Sequence, residues 1–380
     1  MHRRAAVSLA ASVVLLLAGC SSGDGGGEEP DKRPSGSDRS DNSAPAGKGD
    51  VPPAKGAVEV VKTVAEGLKS PWGMVVLPGG DLLVASRDEG TITRVAADSG
   101  KKSEVGEVPG VRPGGEGGLL GLAMGDDSQL YAYFTSDSDN RIVRMIYDEK
   151  KPKGQQLGAP DVIFRGLEKD QNHNGGRIAF GPDGMLYVGT GERYHPDLAQ
   201  EKDKPNGKIL RMTPDGEPAK GNPKADSVVY DYGHRNVQGL AWDDEKRLWA
   251  SEFGQDTWDE LNHIQPGKNY GWPVVEGKSE NKRYVSPLEQ WRTSEASPSG
   301  LAYAKGSLWM AGLRGNRLWR IPLDGTKTAA EPQAFLEREY GRLRTVVALE
   351  NGDLLVTTSN TDGRGDVRDG DDRILRLKVS

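Results

Sequence analysis

Two histidines in this chain stand out by their company. His173 lies in Gln171-Asn172-His173-Asn174-Gly175-Gly176-Arg177. The glycines leave room for a ligand close to the backbone. An imidazole there suits general-base work near neutral pH; the other reading is a loop histidine that bonds the backbone. His234 opens Gly233-His234-Arg235-Asn236-Val237-Gln238-Gly239. Arg235 carries a planar donor fork that fits carboxylates and similar paired oxygens, either a ligand's or a structural partner's. His195 and His263 lack such company and read as ordinary surface or turn residues.

Two further groups have the right chemistry. The stretch from Ser251 to Asn262 crowds Glu252, Asp256, Asp259 and Glu260 among amide and carbonyl oxygens. A hard cation such as Ca²⁺ takes about six to eight oxygens, although the spacing is not that of an EF-hand and solvated loop acids would look the same. Arg342 and Arg344 flank Leu343, and alternation puts both on one face of an extended strand. Like charges side by side are unfavourable unless something anionic sits with them or each has its own partner on a neighbouring strand. Arg314 follows an earlier β run in Gly312-Leu313-Arg314-Gly315. The run from Asp362 to Asp372 reads as a solvated hairpin loop, with a second ion site as the alternative.

The elements that must hold these groups are repeated. A small residue, an apolar alternation, a turn and a second β run recur at Pro71–Ala85, Leu120–Tyr133, Gly176–Val188, Gln238–Ala250, Ser299–Met310 and Leu343–Val356. The copies return about every 45–60 residues, near the period of propeller blades once loops are added. Each reads as short strands with hairpin turns and no 3.6-residue period. Such units bury their faces only against neighbours, and closing six around an axis removes exposed edges. The expectation is all-β: a six-bladed β-propeller with four-stranded blades, rather than an open sandwich array.

Composition agrees and excludes other classes. The 380 residues include 51 Gly, 23 Pro and a single Cys, with a formal charge of −6. Abundant glycine fits many turns. One cysteine excludes an internal disulfide framework and cysteine-rich zinc modules. No Lys/Arg block marks a nucleic-acid surface. Residues 1–20 read as a leader: Arg3 and Arg4, an apolar run too short for a membrane span, then Leu17-Ala18-Gly19-Cys20. That ending resembles a bacterial lipobox, which implies lipidation at Cys20, contact with the membrane through the lipid only, and an extracytoplasmic, anchored protein. Residues 21–57 are Gly, Ser, Asp, Pro and Lys with little apolar surface, and read as a flexible tether. The propeller is expected over 58–380.

From about Leu68 to Leu377 the motifs together resemble the glucose/sorbosone and aldose sugar dehydrogenases that use pyrroloquinoline quinone (PQQ). The stretches that carry the likeness are His173-Asn174-Gly175-Gly176-Arg177 with Gly181-Pro182-Asp183-Gly184, Gly233-His234-Arg235-Asn236-Val237-Gln238-Gly239-Leu240, and Glu260-Leu261-Asn262 with Asn269-Tyr270-Gly271-Trp272-Pro273. The resemblance implies that His173 is the base for an aldose's anomeric hydroxyl while hydride passes to the quinone, and that Glu192 orients it. It implies that Arg235 and Asn236 bind the quinone oxygens and that Arg342 and Arg344 hold the cofactor's carboxylates. It places Arg314 where relatives often have a cofactor-binding Lys. Carbonyls of Gly254 and Gln255 match ligands of a Ca²⁺ on the cofactor, and Glu260 with the Tyr270 carbonyl matches a second, structural Ca²⁺ site. Glu116 stands where relatives place a substrate-facing Gln, with Asn172 grouped beside the base as a substrate contact. Gln255 stands where relatives commonly carry Pro. The sugar and the electron acceptor stay open. A non-catalytic surface propeller that binds glycans or proteins, and a metal-dependent hydrolase of the lactonase kind, are the competing functions.

Overall fold

The computed structural model describes residues 51–380. The expected leader, the lipidation site Cys20 and the tether up to residue 50 lie outside the described residues. Six antiparallel sheets make up the described chain. Blade 1 comprises Pro71–Val76, Leu82–Ser86, Thr91–Val95 and Lys102–Glu107. Blade 2 comprises Leu119–Met124, Gln129–Thr135, Asn140–Ile146 and Asp161–Leu167. Blade 4 runs through Val237–Trp242, Leu248–Glu252, Trp258–Ile264 and Glu289–Arg292.

Two blades vary the plan. Blade 3 has three ladder strands, Arg177–Phe180, Leu186–Gly189 and Ile209–Met212. Its fourth position is filled by a single bridge between Leu210 and Val229. Blade 5 uses Pro298–Ala304, Ser307–Gly312, Arg317–Asp324 and Gln333–Phe335, with the short strand Lys327–Thr328 extending its third strand as a hairpin.

Blade 6 closes the ring. Its strands Leu343–Ala348, Leu354–Thr358 and Ile374–Val379 are completed by Val58–Ala65, the first strand of the chain, which pairs antiparallel with the last. Joining the two ends of the fold in one sheet leaves no blade with a free seam. Ahead of that strand, Pro52 is buried and Arg320 Nη2 donates to the Pro53 carbonyl at 2.8 Å. The last residues of the expected tether therefore lie against blade 5.

The inner strand of each blade contacts the inner strand of the next all the way round, blade 6 meeting blade 1. The small residue that opens each repeat has its reason here. A Cβ on Gly121 would sit 2.2 Å from the Gly176 carbonyl oxygen, and one on Gly300 2.7 Å from that of Arg344. Side chains at these points would push neighbouring blades apart. The apolar residues collect into six clusters, each between two adjacent blades. Trp249 and Trp309 are fully buried within them. At about 25 cal/mol per Å² of apolar surface, the blade interfaces dominate the stability of the ring.

Candidate active site

A cavity of about 410 Å³ opens at one end of the central channel. The segments that lead into the inner strands of blades 3, 4 and 6 supply His173, Arg235, Asn236 and Arg342 to its wall, the inner strand of blade 6 supplies Arg344, and the loop before blade 2 supplies Glu116. Arg314 reaches it from the turn after the second strand of blade 5. Seven of the expected site residues thus converge from five blades, as loops at one rim of a propeller can.

His173 Nδ1 lies 2.8 Å from Glu192 Oε1, and both side chains are buried. A carboxylate on Nδ1 keeps the proton there, so Nε2 carries the free lone pair. The Tyr194 ring packs against the imidazole, with centroids 4.2 Å apart. His173 itself has φ = 56°, a left-handed conformation unusual for a residue with a side chain. Gly175 follows at φ = 62°, where a Cβ would meet the Gly189 carbonyl oxygen at 2.5 Å. Asn236 Oδ1 accepts the Gly175 N–H at 2.9 Å, which ties this turn to blade 4.

The opposite wall is basic. Arg344 is buried, donating from Nε to Ser359 Oγ at 3.0 Å and from Nη1 to Gln238 Oε1 at 3.3 Å. Burial pushes its guanidinium down to about 10 despite Asp362 beside it. Arg177, on the inner strand below, packs its guanidinium 4.4 Å from the Trp72 ring centroid, and burial pushes it down to about 9, with Arg344 adding to the effect. Arg235 lies over Trp272 at 5.6 Å, and its buried Nε has no hydrogen-bond partner among the described residues. A donor left bare in this way fits an acceptor brought by a ligand.

The like-charge problem of Arg342 and Arg344 is answered within the chain. Asp362 Oδ2 accepts from Arg342 Nη2 at 2.9 Å and from Arg344 Nη2 at 3.3 Å. The expectation of a solvated loop at Asp362–Asp372 holds for Asp366 and Asp369, which are exposed, and is wrong for the other three carboxylates: Asp362, Asp371 and Asp372 are buried. Asp372 accepts from Thr358 Oγ1 at 2.9 Å, from the Asn360 N–H at 2.6 Å and from Thr361 Oγ1 at 2.6 Å. Burial pushes the Asp362 carboxyl up, but the two arginines more than offset it and hold it below the usual carboxylate range.

His234, bracketed with Arg235 in the sequence, does not line the cavity. It is fully buried, with Nδ1 2.6 Å from Glu252 Oε2, Nε2 3.2 Å from Asp231 Oδ1, and its ring stacked on Tyr270. Burial opposes its charge, but the two carboxylates prevail and push it up to about 10. The other oxygen of Glu252 accepts the backbone N–H of Arg235. His234, favoured in its charged form by the two carboxylates, thus holds the turn that presents Arg235.

The acidic stretch of blade 4 is divided. Phe253 lines the cavity, whereas the amides of the two residues after it turn elsewhere: Gly254 N–H donates to Asp259 Oδ1 at 2.9 Å and Gln255 N–H to Glu276 Oε1 at 2.7 Å. Glu260 and Tyr270 are buried away from the cavity. Burial, with the like charge of Glu252, pushes Glu260 up to about 7. Asn262 Nδ2 donates to Glu260 Oε2 at 3.0 Å, while Asn262 Oδ1 is buried without a partner among the described residues. Among the described residues no three His, Cys, Asp or Glu side chains gather as a metal-binding set, so a cation here would need carbonyl and amide oxygens beside any carboxylate.

Sequence reasoning missed Trp72, Arg87 and Arg364, which also line the cavity. They come from blades 1 and 6 and carry no motif. The expected substrate contact Asn172 is not among the lining residues; it donates from Nδ2 to the Tyr194 hydroxyl at 2.6 Å.

The chain resembles known proteins over nearly all of this fold. The family model described as glucose/sorbosone dehydrogenase matches residues 68–375. A solved structure titled as the PQQ-bound form of an aldose sugar dehydrogenase from Streptomyces coelicolor is 68% identical, with a TM-score of 0.86 over 87% of this chain and 100% of that one. A Thermus thermophilus structure titled as a putative oxidoreductase (glucose dehydrogenase) is 42% identical, with a TM-score of 0.77 over 85% of this chain and 100% of that one. The aldose sugar dehydrogenase YliI of Escherichia coli is 28% identical across 80% of this chain and 91% of its own length. With the motifs, the six blades and the arginine-walled cavity in agreement with that match, the chain belongs to the glucose/sorbosone dehydrogenase family.

Proposed function

We propose that this protein is a PQQ-dependent aldose sugar dehydrogenase that oxidises its substrate at the anomeric carbon to the lactone. The observation that carries the reading is the His173–Glu192 pair, its free Nε2 on the wall of a cavity that six arginines also line. The residues fit PQQ, a small planar tricarboxylate. Arg342, Arg344 and Arg314 supply cationic donors for its carboxylates, and the unpartnered Nε of Arg235 supplies one for a quinone oxygen. When bound, the quinone supplies the two-electron sink and Ca²⁺ supplies Lewis-acid polarisation.

The chain's own part is positional and electrostatic. His173 Nε2 takes the anomeric hydroxyl's proton. Glu192 holds the ring in the competent tautomer and stabilises the imidazolium that results. Arg235 places a fixed positive charge where negative charge develops, at no reorganisation cost. Asn236 holds the Gly175 turn beside it. Carbonyls of Gly254 and Gln255 are the proposed ligands of a Ca²⁺ at the cofactor. Glu260, with the Tyr270 carbonyl, is proposed for a structural Ca²⁺; the raised Glu260 carboxyl and the unpartnered Asn262 oxygen support a cation there. Glu116 on the cavity wall is the proposed substrate contact, with Asn172 reaching the same mouth through Arg364. The leader ending in Cys20 supports a lipid-anchored, extracytoplasmic protein.

The test uses residues 51–380 with PQQ, Ca²⁺, an acceptor dye and a panel of aldoses. Sugar-dependent dye reduction that needs PQQ is expected, and His173→Ala should abolish it while leaving the fold intact. Unchanged oxidation by that variant overturns the assignment of the base. Failure to bind PQQ overturns the enzyme reading and favours a surface propeller that binds glycans or proteins.

A further inference from the structure

One side chain at the cavity mouth ties the base to the far blade and has no role in the reading above. Arg364 comes from the loop between Leu354–Thr358 and Ile374–Val379 of blade 6. Its Nη1 donates to Glu116 Oε1 at 2.6 Å and its Nη2 to Asn172 Oδ1 at 2.8 Å. The second oxygen of Glu116 accepts the backbone N–H of His173 at 3.0 Å. The amide of Asn172 holds the Tyr194 hydroxyl, and the Tyr194 ring packs on the imidazole. One guanidinium thus reaches His173 by two routes, through its amide and through the ring that packs on it.

His173 needs such a hold. A left-handed backbone at a residue with a side chain persists only where the surroundings enforce it. Glu116 can supply that hold because Arg364 compensates its charge. Burial alone would push its carboxyl up, yet Arg364 and the His173 N–H keep it below the usual carboxylate range. The Arg364 side chain is 52% exposed, so the ion pair contributes little to global stability. Its worth lies in local geometry.

We propose that Arg364 is a positioning residue that holds the His173 loop in its reactive conformation through Glu116 and Asn172. This rests on the reading of His173 as the base. In the test, the full chain is compared with Arg364→Met, Arg364→Lys and the double variant Glu116→Gln/Arg364→Met. Arg364→Met should lower kcat/KM on the order of 10-fold, mostly through kcat, with little change in Tm. Arg364→Lys should recover part of the loss by restoring the charge. The double variant is read through the imidazole signal alone, because Glu116 is itself the proposed substrate contact; there a neutral amide can accept the His173 N–H without a counter-ion. In cofactor-free protein, the side-chain ¹H–¹⁵N signal of His173 should move in Arg364→Met and return in the double variant. An unmoved signal with unchanged kcat in Arg364→Met, or a double variant whose His173 signal stays displaced, overturns the proposal. If the parent chain oxidises no aldose, the functional reading fails, and the imidazole signal by itself still decides whether Arg364 holds the loop.

Discussion

Replacing Glu192 by glutamine should abolish most of the catalysis without unfolding anything, and the structure says why. Glu192 Oε1 meets His173 Nδ1 at 2.8 Å, while Glu192 Oε2 is buried with no hydrogen-bond partner among the described residues. A glutamine there has two orientations. With its carbonyl toward Nδ1, the tautomer survives, but the NH₂ occupies the partnerless position and leaves buried donors unsatisfied, costing about 1–3 kcal/mol. With its NH₂ toward Nδ1, the amide donates to the ring. The imidazole proton then moves to Nε2 and the base is blocked. In either orientation one end of the amide fills the partnerless position, so the blocked form is open to the variant, whereas the carboxylate of the parent can only accept from the ring. Loss of the carboxylate's support for the imidazolium adds to this. We expect kcat at saturating sugar to fall by about 10²-fold. Glu192 does not line the cavity, so PQQ affinity should stay near that of the parent. Steady-state dye reduction, cofactor titration and a melting curve separate these effects. A Glu192→Gln variant that keeps kcat within about threefold would refute the argument, since the loss expected of the carboxylate's two roles is about 10²-fold.

Asp362→Asn should destabilise the cofactor-free protein by about 3 kcal/mol or more, read as a drop in Tm, because it leaves Arg342 and Arg344 together without their buried counter-charge. The depressed Asp362 carboxyl adds stability that is present above the ordinary carboxylate range and lost as pH falls through its lowered value, so acid melting of the parent should steepen there and flatten in the variant. His234 has the opposite sign. With its folded-state value at about 10 against about 6.5 unfolded, its contribution is full below about pH 6.5 and lost as pH rises through about 10; His234→Gln should lower Tm most below pH 6.5. A chain that begins at residue 66 lacks Val58–Ala65 and so opens the ring; a lowered, broadened melting transition is expected in calorimetry, and an unchanged one would mean that closure adds nothing.

Much of this molecule is legible in its residues. The recurring small residue and two β runs required neighbours to bury against, and six copies gave six blades, with a cluster of apolar side chains between each pair. The histidine among glycines and the paired arginines were visible because each breaks a local rule. A bulky residue stands in a glycine turn, and two like charges share one face of a strand. Local irregularity of this kind is what a functional position looks like before folding.

Pairings across the ring were not legible. Val58–Ala65 reads as one more strand, and only its ladder with Ile374–Val379 shows that it closes the propeller. The acids from Asp362 onward have the composition of a solvated loop, yet Asp362 is buried between arginines 18 and 20 residues before it. Arg364 meets Glu116 across 248 residues of sequence. His234 looked like a site residue by its neighbours and is a buried counter-ion instead. Periodicity and turn chemistry are local, so the sequence alone settled the blades and the residue types at the rim. Burial and partner choice depend on which blades the closed ring sets side by side, and that was decided only by the fold.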